Sequence, residues 1–274
     1  MTLHHLGATR SVRRASHALH TPDAFIRTPL PGMTAAKAIV HTSPPMGAAF
    51  TWYTAELEAG GALGPTPGQR FVFVISGRAE ISLDNQARAL RPGDYAYLPE
   101  SDPCVIRAAE AGAAEERTAR IDASSPIPFA VPSPEKSPAA VLAVIEKPYL
   151  ALPGVATPRP ILGSETAVGG QPLNGDPDLI VRTLIPDDPA YDFAVNTMTY
   201  QPGAALSQVE MHVMEHGLLM LEGGGIYRLG DQWYPVTAGD FIWMGPYCPQ
   251  WFGALGKSAA KYLIYKDWNR HPLS

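Results

Sequence analysis

The chain has 274 residues, 46% of them hydrophobic and 17% charged, enough for one large or two ordinary domains whose cores need no disulfide or metal staples. A formal net charge of −5 argues against a general nucleic-acid binder, and no apolar run approaches the ~18 residues of a membrane span. Two cysteines, Cys104 and Cys248, lie far apart in no CxxC arrangement, which excludes a disulfide framework or zinc ribbon and suits a reducing, cytoplasmic compartment.

Residues 1–45 are irregular by pattern, with turn signals at Thr21-Pro-Asp and Pro29-Leu-Pro-Gly, and read as an arm laid over the first domain or a partner subunit. Arg10, Arg13, Arg14 and Arg27, with no acid before Asp23, make this arm basic, a pattern that also suits an organellar transit peptide. From Ala49 the chain alternates in short strands: Phe50 to Leu57, Phe71 to Gly77, Ala79 to Leu83 and Asp94 to Pro99. With 28 prolines and 25 glycines as punctuation, these predict an all-β sandwich or barrel.

The pattern then returns. Val74 to Gln86 matches Met220 to Gln232 at one offset (223 − 77 = 146), which carries Arg91-Pro-Gly-Asp-Tyr onto Thr237-Ala-Gly-Asp-Phe without a gap. The coincident Gly77/Gly223, Gln86/Gln232 and Gly93-Asp94/Gly239-Asp240 indicate a tandem duplication. The expected division is an arm (1–45), a first barrel (46–147) with an Ala/Glu/Pro-rich insertion at about 108–138, a Pro-rich linker (148–164) and a second barrel (165–274). Ala139 to Lys147 and Ala259 to Lys266 read as the closing strands of the two barrels.

The second copy holds Glu210-Met-His-Val-Met-Glu-His-Gly. Glu210, His212 and His216 occupy even positions, so an extended strand turns all three one way, whereas a helix sets Glu210 and His212 about 200° apart. Taken alone, such a trio also suits a satisfied polar face. At the same offset Glu210, His212, His216 and Gln250 fall on Gly64, Thr66, Arg70 and Cys104, so the first copy keeps the turns and lacks every candidate ligand. Glu215 has the opposite parity and is expected outside the pocket. Trp233, Trp243, Trp251 and Trp268 read as core or interface residues, and nothing marks Cys248 as a lowered-pKa thiol.

This layout resembles a cupin: ligands on one strand, a turn glycine, then a further ligand after a Pro/Gly-rich turn. The set Glu210, His212, His216, Gln250 beside a bare first barrel is similar to the bicupin (S)-ureidoglycine aminohydrolases of purine (allantoin) degradation. So are Gly-x-Gly-x-Tyr at Gly223 to Tyr227, Trp233-x-Pro-Val, Met244-Gly245 and Tyr-Lys-Asp-x-Asn-Arg at Tyr265 to Arg270. The resemblance implies tandem cupin barrels and a Mn²⁺ centre on those four residues in the second barrel. It also implies hydrolysis of ureidoglycine to ureidoglycolate and ammonia, with Tyr227, Tyr262 and Lys266 binding the substrate and serving catalysis.

By ligand type alone, two oxygens and two imidazoles suit an octahedral divalent ion and also admit Fe²⁺, Ni²⁺, Co²⁺ or Zn²⁺. One anionic ligand leaves the site positive, which favours a small carboxylate-bearing substrate. A cupin isomerase or oxygenase for another small acid, and a non-catalytic ligand-binding bicupin, are the rival readings, because the fold hosts many functions. The expected assembly is a homo-oligomer, dimer or larger, without nucleic-acid or membrane partners.

Overall fold

The computed structural model describes residues 9–83, 86–100, 102–110, 137–267 and 269–270. Most of the expected insertion, Trp268 and the first eight residues fall outside this set. Among the described residues no helix is long and apolar enough to cross a membrane. The chain forms two barrels of antiparallel strands with matching strand order. The expected strands appear at Thr51–Leu63, Gln69–Gly77, Ala79–Leu83 and Asp94–Leu98, and the closing strands at Ala140–Lys147 and Ala260–Lys266.

The duplication is visible in backbone detail. Gly77 and Gly223 both adopt positive φ (77° and 64°), and a Cβ on either would strike a carbonyl oxygen, of Ala139 and Ala259 respectively. Gly93 N–H donates to Val74 O and Gly239 N–H to Met220 O, both at 2.9 Å. In each copy the turn aspartate accepts from the residue three before it: Arg91 N–H to Asp94 at 2.8 Å and Thr237 N–H to Asp240 at 2.9 Å.

The arm is more ordered than its sequence pattern suggests. Met33–Thr42 is a ten-residue strand paired with Thr51–Leu63, hidden from periodicity because its small and polar residues give no clean alternation. His17–His20 crosses to the second barrel and pairs with Phe241–Met244, while Ile161–Ser164, within the expected linker, pairs with Asp94–Leu98 of the first. The two copies thus exchange their leading strands, each followed by a short 3-10 turn, Pro22–Ala24 and Glu165–Ala167. Arg10 fastens the arm by a two-pronged pair to the buried Asp240, at 2.6 and 2.8 Å.

Three cores follow from strand parity. Even-numbered residues of the second barrel's strands, including Leu218, Met220, Ile242, Tyr262 and Ile264, fill its interior. Odd-numbered ones, Leu219, Phe241, Trp243, Leu263 and Tyr265, pack against Phe50, Trp52, Phe71 and Phe73 of the first barrel. The first barrel's interior is mostly aliphatic, with Leu57, Val72, Val74, Ile81 and Leu142. Polar ties repeat reciprocally between the barrels. Gln69 Nε2 donates to Asp192 at 2.7 Å, and at the matching position Glu215 accepts the Ala49 N–H at 2.9 and 3.1 Å.

Candidate active site

The single strand expected to carry Glu210, His212 and His216 is not what the chain forms. Glu210 makes an isolated bridge to Gln250, with N–H···O bonds of 2.8 and 2.9 Å in the two directions. The backbone then bends at Val213 and Met214, and His216 opens the strand His216–Glu222. A loop, not alternation, gathers the candidate ligands. In the strands the copies run at an offset of 143 before this loop (200 − 57) and 146 after it (216 − 70), so the second copy carries three extra residues there. The equivalences of Glu210 to Gly64 and His212 to Thr66 therefore fall in an insertion, while His216/Arg70 stands on strand register.

The side chains meet nonetheless. Glu210 Oε2 lies 3.1 Å from His212 Nε2, and the His212 and His216 rings stack at 5.4 Å. Gln250 Oε1 accepts from the buried Tyr227 hydroxyl at 3.0 Å. His216 Nδ1 lies 3.0 Å from Met214 O, which assigns its proton to Nδ1 and leaves Nε2 as a lone pair. Burial, then Lys266 and His212, push the His216 pKa down to about 3, so the ring is neutral, as a ligand must be. Among the described residues no three His, Cys, Asp or Glu side chains close on one point, and Glu210 and His212 bond each other. Two imidazoles, a carboxylate and an amide oxygen, the last with a second lone pair free, nevertheless make a donor set that fits a divalent ion.

Lys266 is the register partner of His216. Burial lowers its pKa, opposed by Glu210 and Asp187. With the Asn196 amide turned to satisfy both its ends, its oxygen accepts from Lys266 Nζ at 3.1 Å. Tyr262 is buried with its hydroxyl 2.7 Å from that of Tyr200. Tyr200 and Asn196 escape sequence comparison at the constant offset because their strand runs three residues out of step.

The remaining candidates lie elsewhere. Glu215 points between the barrels, where it also accepts from Trp243 Nε1 at 2.6 Å. Burial pushes the Cys248 thiol pKa up. Trp243 is interbarrel core, Trp251 is partly buried and donates to Leu206 O at 2.7 Å, and Trp233 is exposed rather than core.

In the first barrel the corresponding space is plugged. Arg70 Nε donates to Glu146 at 2.7 Å and its Nη1 to Gly64 O at 2.7 Å, while Tyr53 donates to the same carboxylate at 2.9 Å.

Comparison with known proteins gives this arrangement a family. Residues 196–265 match the cupin domain and residues 46–113 the EutQ-like cupin domain. The chain is 38% identical to the (S)-ureidoglycine aminohydrolase of Arabidopsis thaliana, over 97% of this chain and 80% of that protein. This chain belongs to the (S)-ureidoglycine aminohydrolase family. The Escherichia coli aminohydrolase of that name is 27% identical over 94% of this chain and 91% of its own. The crystal structure of Ylba from Escherichia coli superposes with a TM-score of 0.77 at 25% identity, covering 97% of each chain.

Proposed function

We propose that this protein hydrolyses (S)-2-ureidoglycine to (S)-ureidoglycolate and ammonia in purine degradation, in the cytoplasm, as a homo-oligomer. The observation that carries the reading is the contrast inside the barrels: where the first seals its interior with Arg70 and Glu146, the second sets His216 and Lys266, with Glu210, His212 and Gln250 around them. Glu210, His212, His216 and Gln250 would hold a divalent ion, Mn²⁺ in this reading, with Fe²⁺, Ni²⁺, Co²⁺ or Zn²⁺ as substitutes by ligand type. When bound, the ion supplies Lewis acidity and a lowered pKa for water.

The protein's own groups supply binding and orientation. Lys266, a compact charge kept mostly out of water, pairs with the substrate carboxylate. Tyr262, on the same face of the closing strand, donates to the substrate, and Tyr227 holds the Gln250 oxygen in place. Water replaces the amine on the central carbon and the amine leaves as ammonia, so the walls must fix which face is attacked. Purified protein with Mn²⁺ and freshly prepared ureidoglycine should release ammonia well above the spontaneous background. Release at the background rate defeats the reading, and oxygen uptake with a different acid would favour an oxygenase.

A further inference from the structure

Strand register identifies a residue that belongs with the pocket tyrosines. Tyr200 pairs with Ala260 as Leu57 pairs with Ala140, so Tyr200 occupies the place of Leu57. In the same way Tyr262 replaces Leu142 and Tyr227 replaces Ile81. All six side chains are buried. Because the first barrel folds with three aliphatic groups at these places, the architecture does not call for hydroxyls there.

The three phenols surround one ring, Phe252, at centroid distances of 4.9 Å for Tyr200, 5.5 Å for Tyr227 and 5.7 Å for Tyr262. A phenol has one proton to give. Tyr227 spends its proton on Gln250, whereas Tyr200 and Tyr262 share a single 2.7 Å contact between two hydroxyls. Burial pushes both of their pKa values up, so both hydroxyls stay protonated and one proton of the pair is left over.

We propose that Tyr200 is a positioning residue acting through Tyr262: it donates to the Tyr262 oxygen, fixes that phenol and leaves the Tyr262 proton for the substrate carboxylate. A hydroxyl that accepts one hydrogen bond is also a stronger donor in the next. Tyr200 itself touches no substrate in this arrangement. The inference rests on the aminohydrolase reading.

Tyr200→Phe keeps the ring against Phe252 and removes only the hydroxyl. In the metal-loaded full chain, KM for freshly prepared ureidoglycine should rise about tenfold, the effect of one lost buried hydrogen bond. The change in kcat should be smaller, metal content should match wild type, and Tm should fall by no more than the few degrees that one buried hydrogen bond is worth. Added to Tyr262→Phe, the substitution should change kcat/KM less than twofold, because its route is already cut. Tyr200→Leu, which copies the first barrel, should show the same KM shift. An unchanged KM in Tyr200→Phe, a full further loss in the double variant, or a fall in metal content overturns the inference while leaving the aminohydrolase reading intact. A wild type no faster than background defeats that reading and this inference together.

Discussion

The two barrels share turns, strand order and exchanged leading strands, yet they spend their interiors differently. The first neutralises the buried Arg70 internally: Arg70 meets Glu146, Tyr53 completes the carboxylate, and the rest is mostly aliphatic. The second leaves His216 and Lys266 facing each other, two groups that repel if both are charged, and burial lowers both pKa values. Arg70 and Glu146 balance each other's charge, whereas His216 and Lys266, bonded to Met214 O and the Asn196 amide, have no counter-charge between the two and suit an anion or a metal. The contact between barrels is adapted to this difference. Gly217, where the first barrel has Phe71, admits Phe50, whose ring would lie 2.7 Å from a Cβ there. The plugged barrel therefore buttresses the strand that His216 opens.

The sharpest way to break the comparison is to remove the differing groups one at a time. His216→Ala and Gln250→Ala should weaken metal retention by more than the roughly 10–100-fold that a lost supporting partner costs. Arg70→Ala should leave metal content unchanged and lower Tm instead, because Glu146 is left unpaired. Metal analysis of the three purified variants checks this, and equal content in all three would mean the wrong barrel or the wrong ligands.

A smaller effect separates the two Gly-Asp turns. Asp94 and Asp240 hold the same backbone hydrogen bond, but Asp240 is fully buried and also carries Arg10. Arg10→Ala leaves a buried carboxylate without its cation and loosens the arm ahead of the strand His17–His20, which stays paired with Phe241–Met244. The expected cost is about 1–2 kcal/mol, toward the low end for a buried pair because the Arg10 side chain is 41% exposed. Asp94→Ala should cost about 1 kcal/mol, the worth of one turn hydrogen bond. Denaturant unfolding of both variants measures the difference.

Much of this was legible in the chain because turn chemistry is local. Gly77/Gly223 and Gly93/Gly239 mark turns, at which all four take positive φ, and apolar alternation marked the strands around them. Glu210, His212, His216 and Gln250 were readable as residue types, but their geometry was not, since a bend and a three-residue insertion gather them. Tyr200 and Asn196 needed the strand register itself. The exchange of leading strands left no trace in composition: His17–His20 pairs with residues more than 200 positions away. Periodicity reports which face a residue takes, not which barrel it joins.

A pH-dependent effect, absent near neutrality, concerns that exchange. His41 of the first copy is buried, stacks on Phe241 of the second barrel at 4.8 Å, and lies 3.2 Å from His20 on the crossing strand. Counting by the offset of the strands that flank it, the second copy has Leu184 at this place. Burial, then His20, hold the His41 pKa well below its ordinary value. The unfolded chain takes up this proton below about pH 6.5 while the folded chain does not. The stabilisation is therefore present above pH 6.5 and is lost as pH falls toward the depressed folded pKa, at up to about 1.4 kcal/mol per pH unit. His17 and His20 are lowered by burial too and contribute in the same direction. His41→Leu, which copies the second barrel, should flatten part of the stability profile between pH 6.5 and 4.5 and lower stability near pH 8, where the Thr54 and His20 contacts are lost. Unfolding curves across that range decide the matter, and parallel profiles for variant and wild type would mean that His41 takes up its proton as readily in the fold as in the unfolded chain.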